Sequence, residues 1–254
     1  MAGAARPRGP AAIVQWLNGS KPGGSRHRDV QGGTQRAAVL GAGDGLLTNL
    51  SLTLGVAGAA SSNASAVRLA GVAGLLAGAF SMAAGELVSV RAQQEMVERE
   101  VQVERQELAD DPEGELRELT AMYQAQGLSS EDAGTVARIL SSNPDIALDT
   151  HSRLELGIDP EAPGSAARAA VSSFLSFSIG AILPLLPWFF AEGSTAVIAS
   201  VIIGAVAALA LGAAIGLMAG RSVVGTALRQ LAVAAVAAAV TYTVGSLLGV
   251  ATTS

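Results

Sequence analysis

Residues 37–60, 67–90, 169–191, 195–219 and 226–250 of this 254-residue chain are long and predominantly apolar. A helix needs about 20 such residues to cross a bilayer. Runs of this length leave few alternatives to a membrane-spanning bundle. The third and fourth are the clearest, whereas the first and second each carry an acid, Asp44 and Glu86. Composition agrees. Only 15% of residues are charged, where a soluble domain has about 25%. The apolar half is built from small and aliphatic residues, with 30 Gly and 4% aromatics. Small residues let helices approach closely in lipid. A wholly disordered chain and a disulfide scaffold are excluded by the apolar content and the absence of Cys. Thiolate metal sites and Cys nucleophiles are excluded with them.

The basic residues set an expected orientation. Arg6, Arg8, Lys21, Arg26, Arg28 and Arg36 precede the first span. Arg91, Arg99, Arg105, Arg117, Arg138, Arg153 and Arg168 lie between the second and third, and Arg221 and Arg229 at the turn between the fourth and fifth. Only Arg68 falls on the other side. The positive-inside rule makes the crowded side the cytosol. The N-terminus is then cytoplasmic and the uncharged ATTS end is outside, which requires an odd number of spans. The AAIVQWL run at 11–17 lacks the cleavage context of a signal peptide. Residues 1–35, rich in Pro, Gly and Arg, read as a disordered cytoplasmic tail. A single Lys beside abundant Ala, Gly and Arg points to a GC-rich bacterial gene and hence a plasma membrane.

Residues 92–165 are different material. Residues 92–161 hold 17 Asp plus Glu against five Arg, a net charge of −12. From residue 67 to Leu108 no Pro occurs, and after Gly85 no Gly. One helix is therefore expected to run through the membrane and on into the cytosol. At about 1.5 Å per residue its length is roughly 63 Å, about twice the hydrocarbon thickness. Asp111-Pro112 should end it and start a second helix, reaching about Gln126 and stopping at Gly127. Ser129 or Ser130 should cap a third, and Asn143-Pro144 a fourth that stops at Gly157. The expected architecture is all-α: spans one and two in 36–91, an acidic cytoplasmic helical domain in 92–165, and spans three to five in 166–254.

Some of the acids share faces. Glu104 and Glu107 are three apart, as are Glu115 and Glu118 on the next helix. A hairpin at Asp110–Pro112 would bring the pairs together. Glu155 comes from the fourth helix, with His151 one turn earlier. Converging carboxylates plus an imidazole suit divalent cations such as Fe2+, Mn2+ or Zn2+. Glu95, Glu98, Glu100, Asp132, Asp145 and Asp159 read instead as solvated faces. An ionisable group within a span is costly and normally faces a bundle interior or a water-filled path, so Asp44 is a functional candidate.

These residues carry a resemblance. AGDGLLTNLSLTLGVAGA at 42–59, GAFSMAAGELVSV at 78–90, ADDPEGELREL at 109–119, YQAQGL at 123–128 and LELGI at 154–158 resemble the vacuolar iron transporter family, its nodulin-like members included. The match covers about 35–250, in order. The resemblance implies a proton-coupled homodimer that exports Fe2+, and also Mn2+, from the cytosol, with the ion path at the dimer interface. It implies that the cytoplasmic helices collect ions on glutamates spaced three, eight and three apart, here Glu104, Glu107, Glu115 and Glu118, together with Glu155 before Leu-Gly. Two methionines often precede that last glutamate by four and three residues. Here those positions are His151 and Ser152, and His151 is the expected substitute. The family's path residues, an Asp on the first span and a Met on the second, match Asp44 and Met82. A Glu often found eight residues before the Met is Gly74 here, and Glu86 is the expected substitute carboxylate. No permanently bound cofactor is implied: the ion is cargo.

Other features carry structural expectations. Gly212, Gly216 and Gly220 form a small-residue seam. Gly41, Gly43 and Gly45 admit a close helix and are not a phosphate loop, since no Lys-Ser/Thr follows. Thr48, Asn49 and Ser51 offer neutral oxygens to an ion or to a neighbouring helix. Pro184 and Pro187 should kink the third span, with Trp188 in an interfacial aromatic belt. The competing function is a membrane-anchored iron sensor or storage protein. Enzymatic di-iron chemistry is not expected, because the Glu-x-x-His pairs of di-iron bundles are missing. Nucleic-acid binding is not expected either.

Overall fold

The computed structural model describes residues 33–60, 63–158 and 164–253. Most of the expected N-terminal tail, with His27, lies outside them, as does Asp159. The described residues form eight α-helices and one short 3-10 turn, without strands. They are α1 (Gly33–Ala60), α2 (Ala64–Asp110), α3 (Pro112–Ala125), α4 (Ser130–Ser141), α5 (Pro144–Leu154), α6 (Ala166–Leu185), α7 (Gly193–Ala219) and α8 (Val223–Thr253), with the 3-10 turn at Leu186–Phe189 between α6 and α7. Five of them, α1, α2, α6, α7 and α8, are long and apolar enough to cross a membrane. The chain divides into two compact units, one containing Ala92–Gly164 and the other Gly32–Arg91 with Ser165–Ser254. α2 is unbroken from Ala64 to Asp110, as the absence of Pro from residue 67 to Leu108 and of Gly after Gly85 implied.

In the unit that holds the spans, glycine sets how the helices meet. Gly45 of α1 lies against the Phe177 carbonyl of α6, and Gly180 of α6 lies against the Ala42 carbonyl, with Leu46 N 2.9 Å from where its Cβ would be. Backbones this close exclude any larger side chain. Gly180→Val should therefore cost about 1–3 kcal/mol, the usual range for overpacking. A thermal-melt assay in detergent checks this, and an unchanged melting temperature would contradict it.

Gly212 and Gly216 of α7 pack in the same way on Ala227, Thr226 and Val223 of α8. Gly220 does not belong to that seam. It has φ 63° and caps the C-terminus of α7, a left-handed position that glycine reaches without Cβ strain.

The third span breaks at its prolines, as expected. α6 stops at Leu185 and the Pro-containing turn Leu186–Phe189 follows. The Ser200 hydroxyl donates to the Pro184 carbonyl at 2.7 Å. Trp188 is fully buried with Ala57, Ala64, Val67 and Ala196. It is a core residue and not an exposed belt anchor. Nothing in its local sequence distinguishes the two roles, because indole suits both.

The inserted unit is built on its caps. The Asp111 carboxylate accepts from Gly114 N–H at 2.9 Å, Ser129 from Asp132 N–H at 3.1 Å and Asn143 from Asp145 N–H at 2.9 Å. Gly127, with φ 99°, breaks the chain between α3 and α4. The core is Leu119, Tyr123, Ala133, Val136, Ala137 and Leu140, flanked by Leu116, Leu128 and Leu154. α5 ends at Leu154, earlier than the expected stop at Gly157. Glu155 is its C-cap, with its N–H donating to the His151 carbonyl at 2.8 Å.

Candidate metal centre

Three helices of the inserted unit bring the chemistry together. α2 supplies Glu104, which is 2% exposed, the first turn of α3 supplies Glu115, and α5 supplies His151, which is 0% exposed. One ligand atom from each lies within 4.8 Å of the others. His151 Nδ1 is 3.1 Å from Glu104 Oε1, 3.4 Å from Glu115 Oε2 and 3.7 Å from Glu155 Oε2. These are ion-pair distances, yet no N–H is aligned on an acceptor. His151 Nδ1 and Nε2 and Glu104 Oε1 are all buried without a hydrogen-bond partner. Buried polar atoms are normally satisfied, and leaving them unpaired is costly. Oxygens and a nitrogen that converge without bonding to one another suit a cation as their common partner.

The electrostatics agree. Burial, followed by repulsion from Glu155, Glu115, Glu107 and Glu118, pushes the Glu104 carboxyl up to about 7. Glu115 is also raised, by burial first and then by Glu118, Glu155, Glu107 and Asp111. A divalent cation would relieve both causes by supplying opposite charge. The sign of the pH effect follows. Glu104 holds its proton more tightly when folded, so the stabilisation from protonation is complete below the unfolded value near 4.5 and is lost as pH rises through about 7. Without metal, the inserted unit should melt several degrees higher at pH 5 than at pH 8. Circular dichroism melts with chelator present check this, and a higher melting temperature at pH 8 would contradict it.

Glu107 and Glu118 are exposed and lie outside the converging set, acting on it through their charge. Asp44 and Glu86 are not part of that set either. In the spans, Asp44 is exposed on α1, as is Thr48 one turn later. Within the single chain α1 turns Gly41 and Gly45 toward α6 and Gly43, Leu46 and Leu50 toward α7 and α8, which leaves Asp44 on the outer surface and not in the interior of the bundle. Met82 is half-buried against Ala79, Phe177 and Ala181, and Glu86 is half-buried one turn further along α2. Asn49 is buried and its side-chain amide donates to the Ala181 carbonyl at 2.6 Å, a bond from α1 to α6 and one of the two roles open to it.

The model of the VIT family matches residues 35–246, from the start of α1 into α8 with the inserted unit included. The chain belongs to the VIT family. Among its VIT relatives, a vacuolar iron transporter of Centaurea cyanus is 30% identical over 217 residues, 85% of this chain and 88% of its own. Vacuolar iron transporter 1 of Oryza sativa subsp. japonica is 32% identical over 214 residues, 84% of each chain. Vacuolar iron transporter 1 of Arabidopsis thaliana is 30% identical over 208 residues, 82% of this chain and 83% of its own. The VIT match therefore spans both the apolar helices and the carboxylate–imidazole cluster.

Proposed function

We propose that this VIT-family chain carries Fe2+, and also Mn2+, out of the cytosol in exchange for protons. The observation that carries this is the convergence of Glu104, Glu115 and His151, with Glu155 beside them, in a chain related to proteins named as iron transporters. The cluster takes ions from the cytosol, with Glu107 and Glu118 adding negative charge at its rim. Asp44, Met82 and Glu86 serve the membrane step. The distribution of Lys and Arg supports a cytosolic inserted unit and a cytosolic N-terminus. The named relatives are plant proteins, so the membrane is specified only as one that faces the cytosol.

A homodimer is part of the proposal. Asp44 is exposed on a span of a single chain, and a carboxylate facing lipid is costly. A second copy covering this face would give it a polar surrounding and place the path between protomers. Transport differs from storage or sensing in turnover. Fe2+ trapped inside proteoliposomes should exceed the number of protein sites many times over. Trapping that stops at a few ions per chain would leave a binding protein and end the transporter reading.

A further inference from the structure

Within the converging set His151 is the one donor that is not a carboxylate. Its imidazole is fully buried, both ring nitrogens lack hydrogen-bond partners, and Nδ1 faces oxygens of Glu104, Glu115 and Glu155 at 3.1–3.7 Å. The chain has no Cys, and the donors that converge here come from Glu and His. Oxygen donors accept hard ions such as Mg2+, Ca2+ and Mn2+ along with the others. An imidazole nitrogen binds more selectively, favouring the later first-row divalents and Zn2+.

We propose that His151 sets the metal preference of this site, ranking Zn2+ and Co2+ above Fe2+, Fe2+ above Mn2+, and excluding Mg2+ and Ca2+. The inference rests on reading the cluster as an ion-receiving site. The preference comes from position as well as donor type. His151 is anchored in α5, whose following residues place Glu155 at the helix cap within reach of the same nitrogen. An ion held by the oxygens therefore meets Nδ1 without rearrangement of α5. The transported range would then include Zn2+ and Co2+, with Mn2+ the weakest first-row cargo.

The test uses the full chain in detergent, titrated with Zn2+, Co2+, Mn2+ and Mg2+. Zn2+ should bind the wild type at least about 100-fold more tightly than Mn2+, and His151→Gln should shrink that ratio at least about tenfold, mostly through Zn2+. His151→Met, close in volume, serves as the second variant, with helicity checked for both. Pulsed EPR of bound Mn2+ gives a readout independent of any variant: wild type should show nitrogen coupling from imidazole. The chain has two His, so the signal should survive His27→Gln and vanish in His151→Gln. Binding with an unchanged Zn2+/Mn2+ ratio, or a wild-type spectrum without nitrogen coupling, overturns the role of His151 and leaves the carboxylate site standing. Binding that Glu104→Gln with Glu115→Gln does not alter overturns the site itself, and this inference with it.

Discussion

Asp44→Asn is expected to abolish metal flux while leaving the protein folded. The substitution keeps the shape of the side chain and removes its charge. Asp44 is exposed on its helix, so no packing in the single chain depends on the carboxylate. Its neighbours Gly43 and Gly45 are buried and keep α1 seated whatever stands at residue 44. A charge-assisted contact to an ion worth about 3 kcal/mol corresponds to roughly a 100-fold loss. Initial rates of Fe2+ entry into proteoliposomes should fall by at least about that factor, with the melting temperature unchanged. Asp44→Glu, which retains the charge, should recover part of the rate. Wild-type flux in Asp44→Asn would remove Asp44 from the path.

The second large effect is expected at the carboxylate–imidazole cluster, with two opposite signs. Glu104→Gln combined with Glu115→Gln should weaken metal binding by at least about 100-fold, because two of the converging donors lose their charge. The same variant should be more stable than wild type at pH 8 without metal. Burial and mutual repulsion raise both carboxyls in the native state by penalising the charge, and glutamine carries none. Metal should raise the wild-type melting temperature strongly and the variant's little, since a ligand stabilises only the state that binds it. Calorimetric titration and thermal melts at pH 8 measure the two signs separately. A double variant that binds as wild type does, or that melts lower than wild type without metal, would contradict the assignment.

The span pattern was legible because a bilayer demands length and apolarity, and both are linear properties of a sequence. The inserted helices were legible because their ends are chemical: Asp111, Ser129 and Asn143 cap as their side chains dictate. The five glutamates were legible as candidates, but spacing did not rank them. Glu104 lies on the stripe of Val97, Val101 and Leu108, spaced four, three and four residues apart, which is a buried-face pattern. His151 shares its face with Ala147, Leu148 and Leu154. That periodicity separates the buried Glu104 and His151 from the exposed Glu107 and Glu118, and it was present in the sequence. The outward position of Asp44 was not legible. Glycine at 41, 43 and 45 flanks it on both sides, so only the packing of α6, α7 and α8 on α1 decides which way the carboxylate turns. The burial of Trp188 was equally hidden, because it depends on α6 breaking into a 3-10 turn beside α7.

Exchange of metal for protons is tested most directly by recording both fluxes in the same proteoliposomes. Vesicles with an acidic interior, loaded with an Fe2+ indicator and a pH indicator, are given Fe2+ outside under reducing conditions. Fe2+ should accumulate above its external concentration while the interior becomes more alkaline, with accumulation lost when a protonophore has first collapsed the pH gradient and both metal-driven signals absent in Asp44→Asn. Fe2+ that only equilibrates, or that enters with no change in internal pH, would contradict it.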